Sequence, residues 1–223
     1  MIEFLKLFAA SALLVPATLL PIINPLAGAP VFLAVTGGHD RLAREMARRV
    51  AVNCFFLLVG ALLIGGYVLD FFGLSIPIVQ VAGGLVVAVT GWQLLNDSTR
   101  DPIRRSIADS TGELSEDEIA HHSFLPMSFP LTVGPGTIAA TIALGSTRPD
   151  APADLVPQAL GALLGLGVSV ALIYLTYRYS GPLLQRLGRT GTMVLTRLAA
   201  FILLCIGIDI LWNGVAALVR AGL

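Results

Sequence analysis

Apolar residues in this chain run in long, nearly unbroken blocks rather than in the one-sided spacing of a soluble amphipathic helix. Six blocks, about 7–36, 50–70, 74–96, 123–146, 156–177 and 198–219, are each long enough to cross a bilayer. Crossing roughly 30 Å of hydrocarbon takes about 20 mostly apolar residues. The pattern therefore predicts an all-α integral membrane protein with six transmembrane helices, spans one to six. Composition agrees: 56% of residues are hydrophobic, 13% are charged and the mean hydropathy is +0.84, outside the soluble globular range. The leading MIEFLK balances Glu3 against Lys6, so span one reads as a retained helix rather than a cleaved signal sequence.

Two of the six blocks are interrupted. Span one contains LLPIINPLAGAP (19–30), with Pro21, Asn24, Pro25, Gly28 and Pro30; span four contains FPLTVGPGT, with Pro130, Gly134 and Pro135. An interior proline removes a helix hydrogen bond, and in hydrocarbon each freed backbone group is costly unless it is buried or lines a cavity. At the first helical position proline costs little, and asparagine or glycine suits the cap just before it. Asn24-Pro25 and Gly134-Pro135 both fit that pattern. Each interrupted span is therefore predicted to be two half-helices, the second half starting at Pro25 in one and at Pro135 in the other.

The interruptions recur about 110 residues apart, and spans three and six also rhyme. This divides the chain into a first three-helix repeat (1–96), a polar linker (97–122) and a second three-helix repeat (123–223). Three spans is an odd number, so the repeats enter the membrane in opposite directions. An inverted 3+3 repeat with discontinuous helices is typical of secondary transporters. In the linker, Ser115 and Glu118 fit a capping box, predicting a short helix that leads into span four.

Charge placement sets an expected orientation. Of fourteen basic residues, eleven fall in the first, third and fifth connections: Arg41, Arg44, Arg48 and Arg49; Arg100, Arg104 and Arg105; Arg178, Arg186, Arg189 and Arg197. The other side holds Lys6, Arg148 and Arg220. The positive-inside rule then makes the linker cytoplasmic and puts both termini on the extracytoplasmic side of the plasma (inner) membrane. The net charge is zero and no basic stripe exists, which argues against a nucleic-acid partner.

Opposed half-helices would bring two N-termini, at Asn24 and Gly134, toward the membrane middle. Their free N–H groups and positive dipole ends suit an anionic group such as a carboxylate. Small flanking residues, Gly28, Ala29, Gly136 and Thr137, leave room for a modest ligand. Asp209 in CIGIDILWNG is the carboxylate nearest the middle of any span; Asp70 lies at an outer end. A charge there costs about 2.5–3.5 kcal/mol on insertion scales. Asp209 is thus expected either to meet a substrate ammonium, a proton or a sodium ion, or to be a protonated acid bonded to a neighbouring helix.

Other features read as structure. Gly161 and Gly165, and Gly83, Gly84 and Ala88, have spacings that let helices approach closely, within the chain or across a homodimer face. Cys54 and Cys205 form no CxxC pair and read as packing residues. His121 and His122 are adjacent on a helix and so do not share a face; with no third ligand evident, no metal site is expected. No GxSxG, HExxH or P-loop is present, and no enzyme activity or cofactor is expected.

The stretches 19–36, 73–95 (GLSIPIVQVAGGLVVAVTGWQLL), 129–144 (FPLTVGPGTIAATIAL) and 196–214 (TRLAAFILLCIGIDILWNG) together resemble the MarC family of bacterial and archaeal membrane proteins. The resemblance spans essentially the whole chain. It implies a six-helix inner-membrane protein with an inverted repeat, in a family whose members with assigned activity transport small neutral amino acids such as glycine and alanine. The family's NP motif falls on Asn24 and Pro25, and its GPGT motif on Gly134, Pro135, Gly136 and Thr137. Two positions depart from the pattern: Gln80 where the family often has arginine, and Asp209 where it often has glutamine.

The function expected from the sequence is alternating-access transport of a small zwitterion. Its carboxylate would sit at the half-helix N-termini (Asn24, Pro25, Gly28; Gly134, Pro135, Gly136, Thr137), with Asp209 meeting the ammonium or carrying coupling H+ or Na+. A passive channel for a small solute or ion, and a non-transporting membrane scaffold, are the competing readings.

Overall fold

A computed structural model of the protein describes residues 2–96, 116–146 and 154–220. These residues are helical apart from short joins: α1 (Ile2–Ile23), α2 (Pro25–Thr36), α3 (Asp40–Phe71), α4 (Ile76–Asn96), α5 (Glu116–His122), α6 (Ser123–Thr132), α7 (Pro135–Ser146), α8 (Leu155–Arg178) and α9 (Ser180–Arg220). A short helix does lead into span four, beginning at Glu116. The Ser115 end of its expected capping box, with Arg100, Arg104, Arg105 and Arg148, lies outside the described residues.

Among the described residues, five helices are long and apolar enough to cross a membrane alone: α1, α3, α4, α8 and the Thr190–Arg220 part of α9. A sixth span forms if Ile119–Thr132 and Pro135–Ser146, bent by 68°, are counted as one. Span one differs from expectation in its first part. Glu3 and Lys6 are helical, so α1 reaches back to Ile2 and has full length at 22 residues. Pro16 and Pro21 are accommodated inside it. Only the second part, α2, is short: 12 residues, or about 18 Å at 1.5 Å per residue.

Unlike those of a soluble protein, the helices are apolar on their outer faces as well as in the core. On α3 the buried positions Met46, Val50, Cys54, Leu58 and Leu62 follow one helical stripe facing the core, while Phe56, Ile64 and Tyr67 point outward. The core continues through Leu19, Phe32, Met127, Val133, Leu166, Ile173 and Leu203. Between membrane helices, where lipid is as apolar as leucine, close backbone approach does most of the work. α4 packs along most of its length on α9; a Cβ on Gly84 would collide with Leu211, and one on Gly207 with Ala88. α1 and α8 meet likewise, Gly161 against Phe8 and Gly165 against Ala12. The close-approach glycines singled out in spans three and five are thus used within the chain.

At the end where α3 begins and α8 ends, Arg178 donates to both carboxylate oxygens of Asp40, at 2.7 and 3.3 Å. α9 starts from this basic end. Asp70, Ser146 and Leu155 mark the opposite one.

Candidate functional site

The break at Asn24 follows from local chemistry. Pro25 has no N–H to offer Pro21, and its ring disfavours α conformation in the residue before it. Asn24 takes φ +45, a left-handed conformation that asparagine tolerates better than most residues. Its own N–H still closes α1 by donating to Leu20 at 2.8 Å. Its carbonyl and its Oδ1 accept from the Ala27 N–H, at 3.0 and 3.4 Å, opening α2. The amide Nδ2 is buried and has no hydrogen-bond partner among the described residues. Such a group is costly to leave unpaired.

The second break is built differently. α6 is wound loosely, with extended residues at Leu125 and Phe129 and bonds that reach five residues back: the Val133 N–H to Ser128 O, and Thr132 Oγ1 to Met127 O at 2.6 Å. α7 then starts at Pro135, and the Gly134 carbonyl accepts from the Ile138 N–H at 3.0 Å. The two predicted helix starts, Pro25 and Pro135, are those observed.

Tyr177 of α8 joins the two breaks. Its ring stacks on Phe32 of α2, centroids 4.8 Å apart and planes within 4°. Its hydroxyl lies 2.8 Å from Thr132 Oγ1, whose own hydrogen goes to Met127, so the tyrosine is the donor. The same hydroxyl fills the space over Gly28, where an added Cβ would sit 2.5 Å from it.

Beside the first break lies a cavity of about 1000 Å³ on the basic side of the molecule. Asn24 and Gly28 line one wall; Thr90 of α4 and Thr192, Thr196 and Arg197 of α9 supply polar groups on the others. Arg197 is the charged residue of that lining. Nearby, Gly188 takes φ +64 and bends α9 where the cavity is bounded.

The whole-chain pattern matches a known family model. The model described as MarC family integral membrane protein covers residues 9–219. The chain belongs to the MarC family. It is 32% identical over 205 residues to proteins named inner membrane protein MarC from Escherichia coli (strain K12) and Shigella flexneri, an overlap of 91% of this chain and 92% of each relative. No solved structure matches. These names and the apolar helices make it a multi-pass inner-membrane protein.

In this MarC chain the residues singled out by sequence do not form one cluster. Asn24 and Gly28 are at the cavity, with Pro25 buried beside them. The second break contributes Leu131 to the lining, but Gly134, Pro135, Gly136 and Thr137 do not reach it. The start of α7 instead packs on α4: Gly136 meets Val87, and a Cβ on Gly83 would sit 2.5 Å from that of Ala139. Asp209 is further away, exposed on α9, and lines neither this cavity nor a second one of about 530 Å³ beside Asp70 and Leu155. Tyr177 and Arg197 were not singled out by sequence. A tyrosine hydroxyl in an apolar span needs a partner, which was the available signal for Tyr177.

Proposed function

We propose that this chain is a secondary transporter of small neutral amino acids, of glycine or alanine size, and that the cavity at Asn24 is its substrate site in an alternating-access cycle. The observation that carries the reading is the buried, unpartnered Asn24 Nδ2 at a helix break on the wall of a large cavity. One break offers both ends a zwitterion needs. The carboxylate meets the Asn24 amide and the positive N-terminus of α2, with Arg197 on the facing wall. The ammonium meets the C-terminal carbonyls of α1, where Pro21 loses its donor to Pro25.

This reading moves the ammonium partner from Asp209 to backbone carbonyls, since Asp209 is not at the cavity. We read the two halves as an inverted repeat, the basic end as cytoplasmic and the cavity as its inward-facing vestibule. The packed α4–α7 seam, Gly136 against Val87, then closes the middle of the molecule, which favours a carrier over an open channel.

Uptake of labelled glycine or alanine into proteoliposomes, with and without a pH or sodium gradient, tests the proposal. Saturable uptake that rises with one gradient is expected. Flux no greater than in empty liposomes for every small amino acid tried would overturn it.

A further inference from the structure

α9 carries a polar pair on a face that the rest of the chain leaves open. Asn213 Nδ2 donates to Asp209 Oδ2 at 3.2 Å, one turn away, and both residues are exposed. Asp209 is two residues from both Gly207 and Leu211, so it stands about 200° around the helix from each of these α4-seam residues. Ile202, Cys205, Ile208 and Trp212 around it are exposed as well. A single copy would therefore turn a carboxyl and an amide toward hydrocarbon near mid-span. Ionisable residues at that depth are expensive and almost always face protein or a wet cavity. Neither large cavity includes this pair.

We propose that a second copy of this chain covers the face, in a two-fold dimer with the two α9 helices at its centre. The polar groups are self-complementary. After the bond inside the helix, each Asn213 keeps one N–H and each Asp209 keeps Oδ1. A two-fold axis between them brings each remaining N–H to the other copy's Oδ1, and does so twice, as a contact between identical surfaces must. Lipid tails offer no such partner. The glycine faces that might have served instead are occupied within the chain: Gly161 and Gly165 by α1, Gly84 and Gly207 by the α4–α9 seam.

The test is the oligomeric mass of the full chain at low density in lipid nanodiscs, paired with copper-phenanthroline oxidation in native membranes. Wild type is expected to be dimeric, and exposed Cys205, one turn from Asp209, is expected to form a disulfide with its counterpart that Cys205→Ala abolishes. Asp209→Asn keeps hydrogen-bonding groups and should remain dimeric. Asp209→Leu with Asn213→Leu should lower the dimer association constant at least tenfold, and Trp212→Ala, a milder apolar truncation, should lower it several-fold. A monomeric wild type, dimers insensitive to all these changes, or Cys205 joined to a different protein in place of its own copy would each overturn the proposal.

Discussion

The Tyr177 hydroxyl donates to Thr132 Oγ1 at 2.8 Å, which ties α8 to the end of α6. The stack of the same ring on Phe32 holds α2. One buried side chain thus sets the separation of the two helix breaks, and its oxygen occupies the space a side chain at Gly28 would need.

Gly28→Ala should therefore damage the protein even though alanine is the better helix former. Its Cβ would meet the Tyr177 hydroxyl at 2.5 Å, and overpacking of this kind costs about 1–3 kcal/mol. We expect a lower melting temperature in detergent and at least a tenfold loss of uptake. Adding Tyr177→Phe, which removes the oxygen but keeps the stack, should restore part of both. Additive losses in the double variant would show that the two positions are not coupled.

Asn24 separates backbone from side chain. Asn24→Gly tolerates φ +45 and keeps the break, but deletes the Nδ2 donor. The fold should survive while affinity falls: a hydrogen bond to a charged group contributes about 1.5–3 kcal/mol, so the KM for uptake should rise about tenfold or more. Asn24→Ala should be less stable than Asn24→Gly, because alanine is strained in the left-handed region. An unchanged KM in Asn24→Gly would remove the side chain from the site.

At the α4–α7 seam, Gly136→Ala would drive a Cβ into Val87. We expect thermal destabilisation, and recovery when Val87→Ala is added to make room. If the second change leaves melting temperature where the first put it, the seam does not set the stability of this region.

The helix starts at Pro25 and Pro135 were legible because proline acts within one turn: what it lacks and what it hinders are the same in any sequence. Five of the six expected spans were legible for a similar reason, since length and apolarity decide them; the sixth depends on counting Ile119–Thr132 and Pro135–Ser146 as one bent span. What joins those spans was not. Tyr177 is 45 residues from Thr132 and farther still from Gly28, and nothing in YLTYR distinguishes it from the neighbouring Tyr174. Asp209 was placed in the last span, but the direction it faces was missed. The small residues Ala200, Gly207 and Gly214 at helical spacing marked the α4-facing side of α9, and Asp209 stands opposite them. The start of α7 looked like a binding site from its GPGT chemistry, yet Gly136 is used for packing on Val87.

The central claim is that the cavity at Asn24 belongs to a carrier. Counterflow tests it most directly: proteoliposomes loaded with unlabelled glycine or alanine are diluted into a trace of the labelled amino acid without any ion gradient. The account predicts a transient accumulation of label above the outside concentration, sharply reduced in Asn24→Gly. Label that only equilibrates, or that fails to enter at all, would contradict it.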